Sequence, residues 1–189
     1  IAISEIAKQH DLIVIADEIY DKLTYIGEHT CMSSLPGMKE RTILLNGFSK
    51  SYAMTGWRVA YACGNPDFVG AMTKIHQYSI LCAPITAQMA ALEALKNGQP
   101  AMYKMIQQYN RRRNLVVKSF NDMGLPCFEP GGAFYAFPQV SVTGLSSEQF
   151  AEELLKEEKV AVVPGNAFGE SGEGFIRVSY AASVEDLGE

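Results

Sequence analysis

Lys50 sits in the stretch Asn46-Gly47-Phe48-Ser49-Lys50-Ser51-Tyr52-Ala53-Met54-Thr55-Gly56-Trp57-Arg58, flanked by two serines with a glycine just upstream. Small neighbours let the backbone approach a ligand closely, and a primary amine held there is suited to capturing a carbonyl group. Arg58, eight residues further on, offers the planar fork of donors that matches a phosphate. Upstream, the apolar run of residues 12–16 predicts a buried strand that delivers Asp17-Glu18-Ile19-Tyr20 at its carboxyl end, where open α/β sheets bind ligands. An acid, a phenol, an amine and a guanidinium are thereby expected around one site.

Each of these residues also has an ordinary role. A lysine among serines is most often a solvated loop residue, an aspartate after a strand is commonly a cap, and a tyrosine there is a partly buried edge residue. Arg58 and Arg177, taken singly, read as sheet-surface cations. The combination and order of the residues favour the chemical reading.

The elements that must position them can be traced. Residues 1–10 read as the end of a helix, and residues 42–46 and 57–63 as two further strands on either side of the lysine turn. Asn65-Pro66-Asp67 opens a helix to about Tyr78, Pro84 begins another that ends near Asn97-Gly98, and Pro100 starts a long one reaching Met123-Gly124. Beyond Gly124, residues 133–137, 160–163 and 175–180 read as strands, and Ser146-Ser147-Glu148-Gln149 is a capping box opening a charged helix to Glu158. This order predicts an α/β region over residues 1–107 and a smaller α+β domain over residues 108–189. The long helix bridges the two.

A chain of 189 residues with 48% hydrophobic content can build a core, and a net charge of −5 disfavours nonspecific binding to nucleic acid or anionic membranes. Cys31, Cys63, Cys82 and Cys127 form no C-x-x-C pair, which fits reduced thiols in the cytoplasm, and three dispersed histidines complete no metal motif. No apolar run reaches the length of a membrane helix. The glycine-rich segment 169–174 carries two acids and no following helix, so it makes a poor phosphate loop. Arg111-Arg112-Arg113 spreads over several helix faces, and Gly47 rules out a Ser-x-x-Lys hydrolase motif around Lys50. The start at Ile1, inside a helical pattern, and the helix opening at residues 184–189 suggest truncation at both ends.

Asp17-x-x-Tyr20, Ser49-Lys50, Arg58, Gly165-Asn166-Ala167-Phe168 and Phe175-Ile176-Arg177-Val178-Ser179-Tyr180, in this order along nearly the whole chain, resemble the class I/II aminotransferases of the aspartate aminotransferase superfamily. The resemblance implies the fold type I architecture, a mostly parallel sheet with helices on both faces followed by a smaller α+β domain. It implies pyridoxal 5'-phosphate as cofactor and transamination between an amino acid and a 2-oxo acid. It also implies a homodimer and a parent about twice this long, of which this chain is the carboxyl-terminal half. In that family's terms Lys50 would hold the cofactor covalently and move the substrate proton. Asp17 would pair with the ring nitrogen, Tyr20 with the phenolic oxygen, and Ser49 and Arg58 with the phosphate, while Arg177 would clamp the substrate carboxylate. Asn166 and Phe168 would line the same mouth or form a simple turn.

One departure stands out: Gly47 occupies a position where some members carry a further phosphate-binding hydroxyl. Because other contacts of that site would lie upstream, the resemblance implies weak cofactor affinity and little activity for the isolated chain. A β-lyase or decarboxylase of the same fold type, or the aminotransferase-like sensor domain of a transcription regulator, would use the same anchor residues.

Overall fold

The computed structural model describes residues 1–188 and divides into two compact units, Ile1–Lys104 and Met105–Glu189. Glu189, part of the expected terminal helix, lies outside the described residues; Val184–Gly188 do form a short helix.

The first unit is built on a three-stranded sheet, β1 (Val14–Asp17), β2 (Thr42–Gly47) and β3 (Ala60–Cys63), in that spatial order. β1 and β2 are parallel and β3 runs antiparallel to β2. Helix α1 (Ala2–Gln9) precedes the sheet, and α2 (Pro66–Ser79) and α3 (Ile85–Asn97) follow it. α2 starts where Asn65 accepts a bond from the Asp67 amide at 2.9 Å, with Pro66 in the first turn, which needs no amide.

Two strands differ from expectation. β1 begins two residues late because the chain first closes α1: Asp11 takes a left-handed conformation (φ 49°) and the Leu12 amide donates to the Ala7 carbonyl at 2.8 Å. It is also not buried on both faces, since Ile15 is 68% exposed. β3 begins three residues late because Thr55–Trp57 forms a 3-10 turn and Arg58 adopts a left-handed backbone (φ 53°, ψ 49°), which no strand residue can hold.

The long helix α4 (Gln99–Asp122) starts in the first unit and ends in the second. The second unit carries a sheet of β4 (Tyr135–Ala136), β6 (Ile176–Ser179) and β5 (Val163–Pro164), all antiparallel. Helix α5 (Ser147–Glu157) opens with the expected capping box, Ser146 to the Gln149 amide and Gln149 back to the Ser146 amide. The strands are shorter than the sequence suggests, because Ala133 (φ 60°) and Lys159 (φ 61°) turn the backbone just before β4 and just after α5. Val116, Phe134, Ala136, Ile176 and Tyr180 form this unit's buried interior. Arg113 is buried too: it reaches Glu129 Oε1 at 2.8 Å and the Pro130 carbonyl at 3.0 Å, so this arginine of the basic run on α4 serves the fold.

Among the described residues no helix is long and apolar enough to cross a membrane. All four cysteines are unpaired.

Candidate active site

The sheet register gathers the chemistry-bearing residues of the first unit at one edge. Asp17 stands opposite Leu45, and Gly47 opposite Ala60, so the carboxyl ends of β1 and β2 and the amino end of β3 share a border. From it emerge the segment 17–20, the turn with Ser49 and Lys50, and Arg58.

The Lys50 turn is pinned at both ends by apolar side chains. Phe48, Met54 and Val59 are buried against Ala87 and Ala91 of α3, each such burial contributing about 1.5–3 kcal/mol. Between these anchors the backbone folds back on itself, with the Tyr52 and Met54 amides both donating to the Phe48 carbonyl at 3.2 Å. Thr55 Oγ1 donates to the Ser49 carbonyl at 2.8 Å, and Arg58 Nη1 to the Thr55 carbonyl at 2.9 Å. Ala53 and Arg58 both sit at positive φ, a conformation that costs non-glycine residues of order 1 kcal/mol and gathers at functional turns. Ser49 and Lys50 are half-buried and Arg58 is exposed.

On β1, Asp17 is exposed and its Oδ1 accepts the Ile19 amide at 3.2 Å. Glu18 points the other way and is buried; its carboxylate meets His29 Nε2 and the Met32 amide, each at 2.8 Å. Burial alone would raise the Glu18 carboxyl, but the bonds from His29, Met32 and Cys31 outweigh it and hold the group below the usual carboxylate value. The Tyr20 carbonyl accepts the amide of fully buried Leu23 at 2.9 Å, which fixes the turn after β1.

Asp17 and Arg58 line one cleft of about 890 Å³, together with Asn46 and Tyr61. Burial and the charge of Asp21 raise the Tyr61 phenol above its ordinary value, against a smaller pull from Lys22. Tyr20, Ser49 and Lys50 share the sheet edge but do not line this cleft. A carboxylate and a guanidinium in one cleft, beside a turn-borne amine, suit an elongated ligand with a basic nitrogen at one end and a phosphate at the other.

Arg177 belongs to the second unit. It lies on β6 between buried Ile176 and half-buried Val178, projecting from the opposite face, and its guanidinium carbon stands 4.6 Å from the centre of the Tyr135 ring and 4.4 Å from that of Phe168. Asn166 donates to Glu148 Oε1 at 3.1 Å from the 3-10 turn Gly165–Phe168.

Sequence reasoning passed over three residues of these surroundings. Asn46 could have been noticed as a polar end to an apolar strand, and Tyr61 as an outward position in the alternation Ala-Tyr-Ala-Cys. Tyr135 carries no local signal, because its relation to Arg177 arises from strand pairing across more than forty residues.

The sequence model of the family "Aminotransferase class I and II" matches residues 2–188. The chain is 61% identical over 187 residues to "Putative aminotransferase YugH" of Bacillus subtilis (strain 168), covering 99% of this chain and 48% of that protein. It is 46% identical over 190 residues to aromatic-amino-acid aminotransferase 2 of Thermococcus litoralis, covering 99% of this chain and 49% of that one. The crystal structure of an aromatic aminotransferase from Pyrococcus horikoshii OT3 superposes with a TM-score of 0.95 at 47% identity, covering 99% of this chain and 51% of that chain. The chain thus spans about half the length of the curated relatives it matches.

Proposed function

The chain belongs to the class I and II aminotransferases, and from that premise we propose that the protein carrying it moves an amino group between an amino acid and a 2-oxo acid with pyridoxal phosphate. The observation that carries this reading is the pairing of Asp17 and Arg58 in one cleft, at the sheet edge from which the pinned Lys50 turn emerges. The donor set fits the cofactor: an acid for a pyridine nitrogen, a guanidinium and the Ser49 hydroxyl for a phosphate, a phenol for the ring oxygen and an amine for the aldehyde.

Bound there, the cofactor would serve as the electron sink for breaking a bond at the substrate Cα. The residues divide the remaining work. Lys50 Nζ holds the cofactor and carries the Cα proton. The Asp17 carboxylate keeps the ring nitrogen protonated, and the Tyr20 hydroxyl donates to the ring oxygen. Arg58 and Ser49 anchor the phosphate, and Arg177 orients the substrate by its carboxylate. On this reading residues 1–107 are the carboxyl-terminal part of a large cofactor domain and residues 108–189 belong to a small domain. The whole protein works as a cytoplasmic homodimer on small amino and oxo acids.

Borohydride treatment of the full-length protein loaded with pyridoxal phosphate, followed by peptide mapping, tests the reading. The pyridoxyl label is expected on Lys50, together with amino-acid-dependent release of the matching 2-oxo acid. Label on Lys22, Lys39 or Lys74, or no oxo acid from any amino acid tried, overturns it.

A further inference from the structure

We infer that Phe168 and Tyr135 are positioning residues for Arg177, holding its guanidinium between aromatic rings so that its N–H edge meets a carboxylate. The inference rests on the proposed role of Arg177 and adds the groups that make the role possible.

Three observations carry it. First, the Arg177 guanidinium carbon lies 4.4 Å from the Phe168 ring centre and 4.6 Å from that of Tyr135, inside the range where a cation is drawn to an aromatic quadrupole. Second, no acidic side chain among the described residues forms an ion pair with Arg177, so its neighbours hold the cation without neutralising it. A carboxylate partner would compete with an incoming anion; a ring does not. Third, Phe168 is itself held. Its ring meets Phe137 edge-on at 6.2 Å, and Phe137 stacks on Phe175 at 5.5 Å and 16°. The turn bearing Phe168 is anchored by the Gly165 amide on the Phe175 carbonyl at 2.8 Å and by Asn166 on Glu148. Phe168 is nonetheless 51% exposed, so its packing contribution to the fold is small and its ordered contact with Arg177 calls for another role.

The physical gain is preorganisation. A free arginine side chain must give up rotamer freedom to bind two carboxylate oxygens side by side, and rings that cover the guanidinium face remove that cost before the anion arrives. They leave the in-plane N–H groups as its donors, which selects a planar carboxylate.

The test uses the full-length protein loaded with pyridoxal phosphate, titrated calorimetrically with two nonreacting acids, succinate and 3-phenylpropionate, which share a carboxylate and differ in their tails. Phe168→Leu should weaken both by the same factor, roughly threefold to thirtyfold, the range of one cation–π contact. Phe168→Tyr, which keeps the ring, should restore binding, and cofactor loading should not change in either. If Phe168→Leu binds both acids normally while Arg177→Leu does not, the positioning role is overturned and the Arg177 reading stands. If Phe168→Leu loses only 3-phenylpropionate, the ring is a wall for the tail and the inference falls. Arg177→Leu that binds like wild type, or a wild type that binds neither acid, removes the Arg177 reading and this one with it. Should Phe168→Leu fail to load cofactor, Tyr135→Leu compared with Tyr135→Phe decides by the same criteria.

Discussion

Gly47 and Ala60 face each other across β2 and β3 so closely that a Cβ added to Gly47 would stand 3.0 Å from the Cβ of Ala60 and 3.2 Å from the Val59 carbonyl. A hydroxyl-bearing side chain at position 47, the one departure noted in the sequence, would have to be seated against β3 itself. Gly47→Thr should therefore destabilise the protein by about 1–3 kcal/mol, as overpacking typically does. Ala60→Gly in the same chain should recover part of the loss, and only part, because the Val59 carbonyl stays in place. Urea midpoints of the two single variants and the double variant check this; strict additivity would show that the two positions do not collide.

Arg58 combines a left-handed backbone with the guanidinium assigned to phosphate. Glycine adopts that backbone without steric cost, so Arg58→Gly should leave the melting temperature of the cofactor-free protein unchanged or slightly higher while weakening pyridoxal phosphate binding at least tenfold, the loss of one charge-assisted contact. Cofactor titration alongside thermal unfolding separates the two effects. A variant that melts well below wild type yet binds cofactor normally would reverse the assignment.

Glu18 ties the end of β1 to the segment at His29 and Met32, and its carboxyl is held below the ordinary value of 4.5. A depressed acid contributes stability that is fully present above its unfolded value and is lost as pH falls through its folded one. Glu18→Gln should therefore be less stable than wild type at pH 7, and the gap should close on acidification below about pH 4.5. Denaturant midpoints of both proteins between pH 3 and 7 measure the gap, and a constant difference across that range would contradict it.

Gly165 and Gly172 press backbone against backbone in the second unit. A Cβ on Gly165 would overlap the Gly172 carbonyl and lie 2.7 Å from the Phe175 carbonyl, neither of which can rotate away. Gly165→Ala should cost about 3 kcal/mol or more and shift the turn that carries Phe168. Unfolding measurements near wild type would mean that this turn is far more pliable than its contacts suggest.

Much of this protein is written locally in its sequence. The Asn65-Pro66 start of α2 and the Ser146–Gln149 capping box arise from neighbouring side chains bonding adjacent amides, so short patterns suffice to find them. The order Asp17, Tyr20, Lys50, Arg58 and Arg177 likewise carries the family resemblance by itself. The limits of β2 and β6 were legible to within a residue, but those of β1, β3, β4 and β5 were not, and left-handed residues at Asp11, Arg58, Ala133 and Lys159 stand where those runs were expected to begin or just before. That Asp17 and Arg58 come together was expected from the sequence; tertiary structure alone decided that they line one cleft without Tyr20, Ser49 and Lys50, that Phe48, Met54 and Val59 pin the Lys50 turn to α3, and that Tyr135 and Phe168 come to rest against Arg177. Each of these depends on pairing between segments distant in the chain, where register and burial, not residue type, determine which side chains meet.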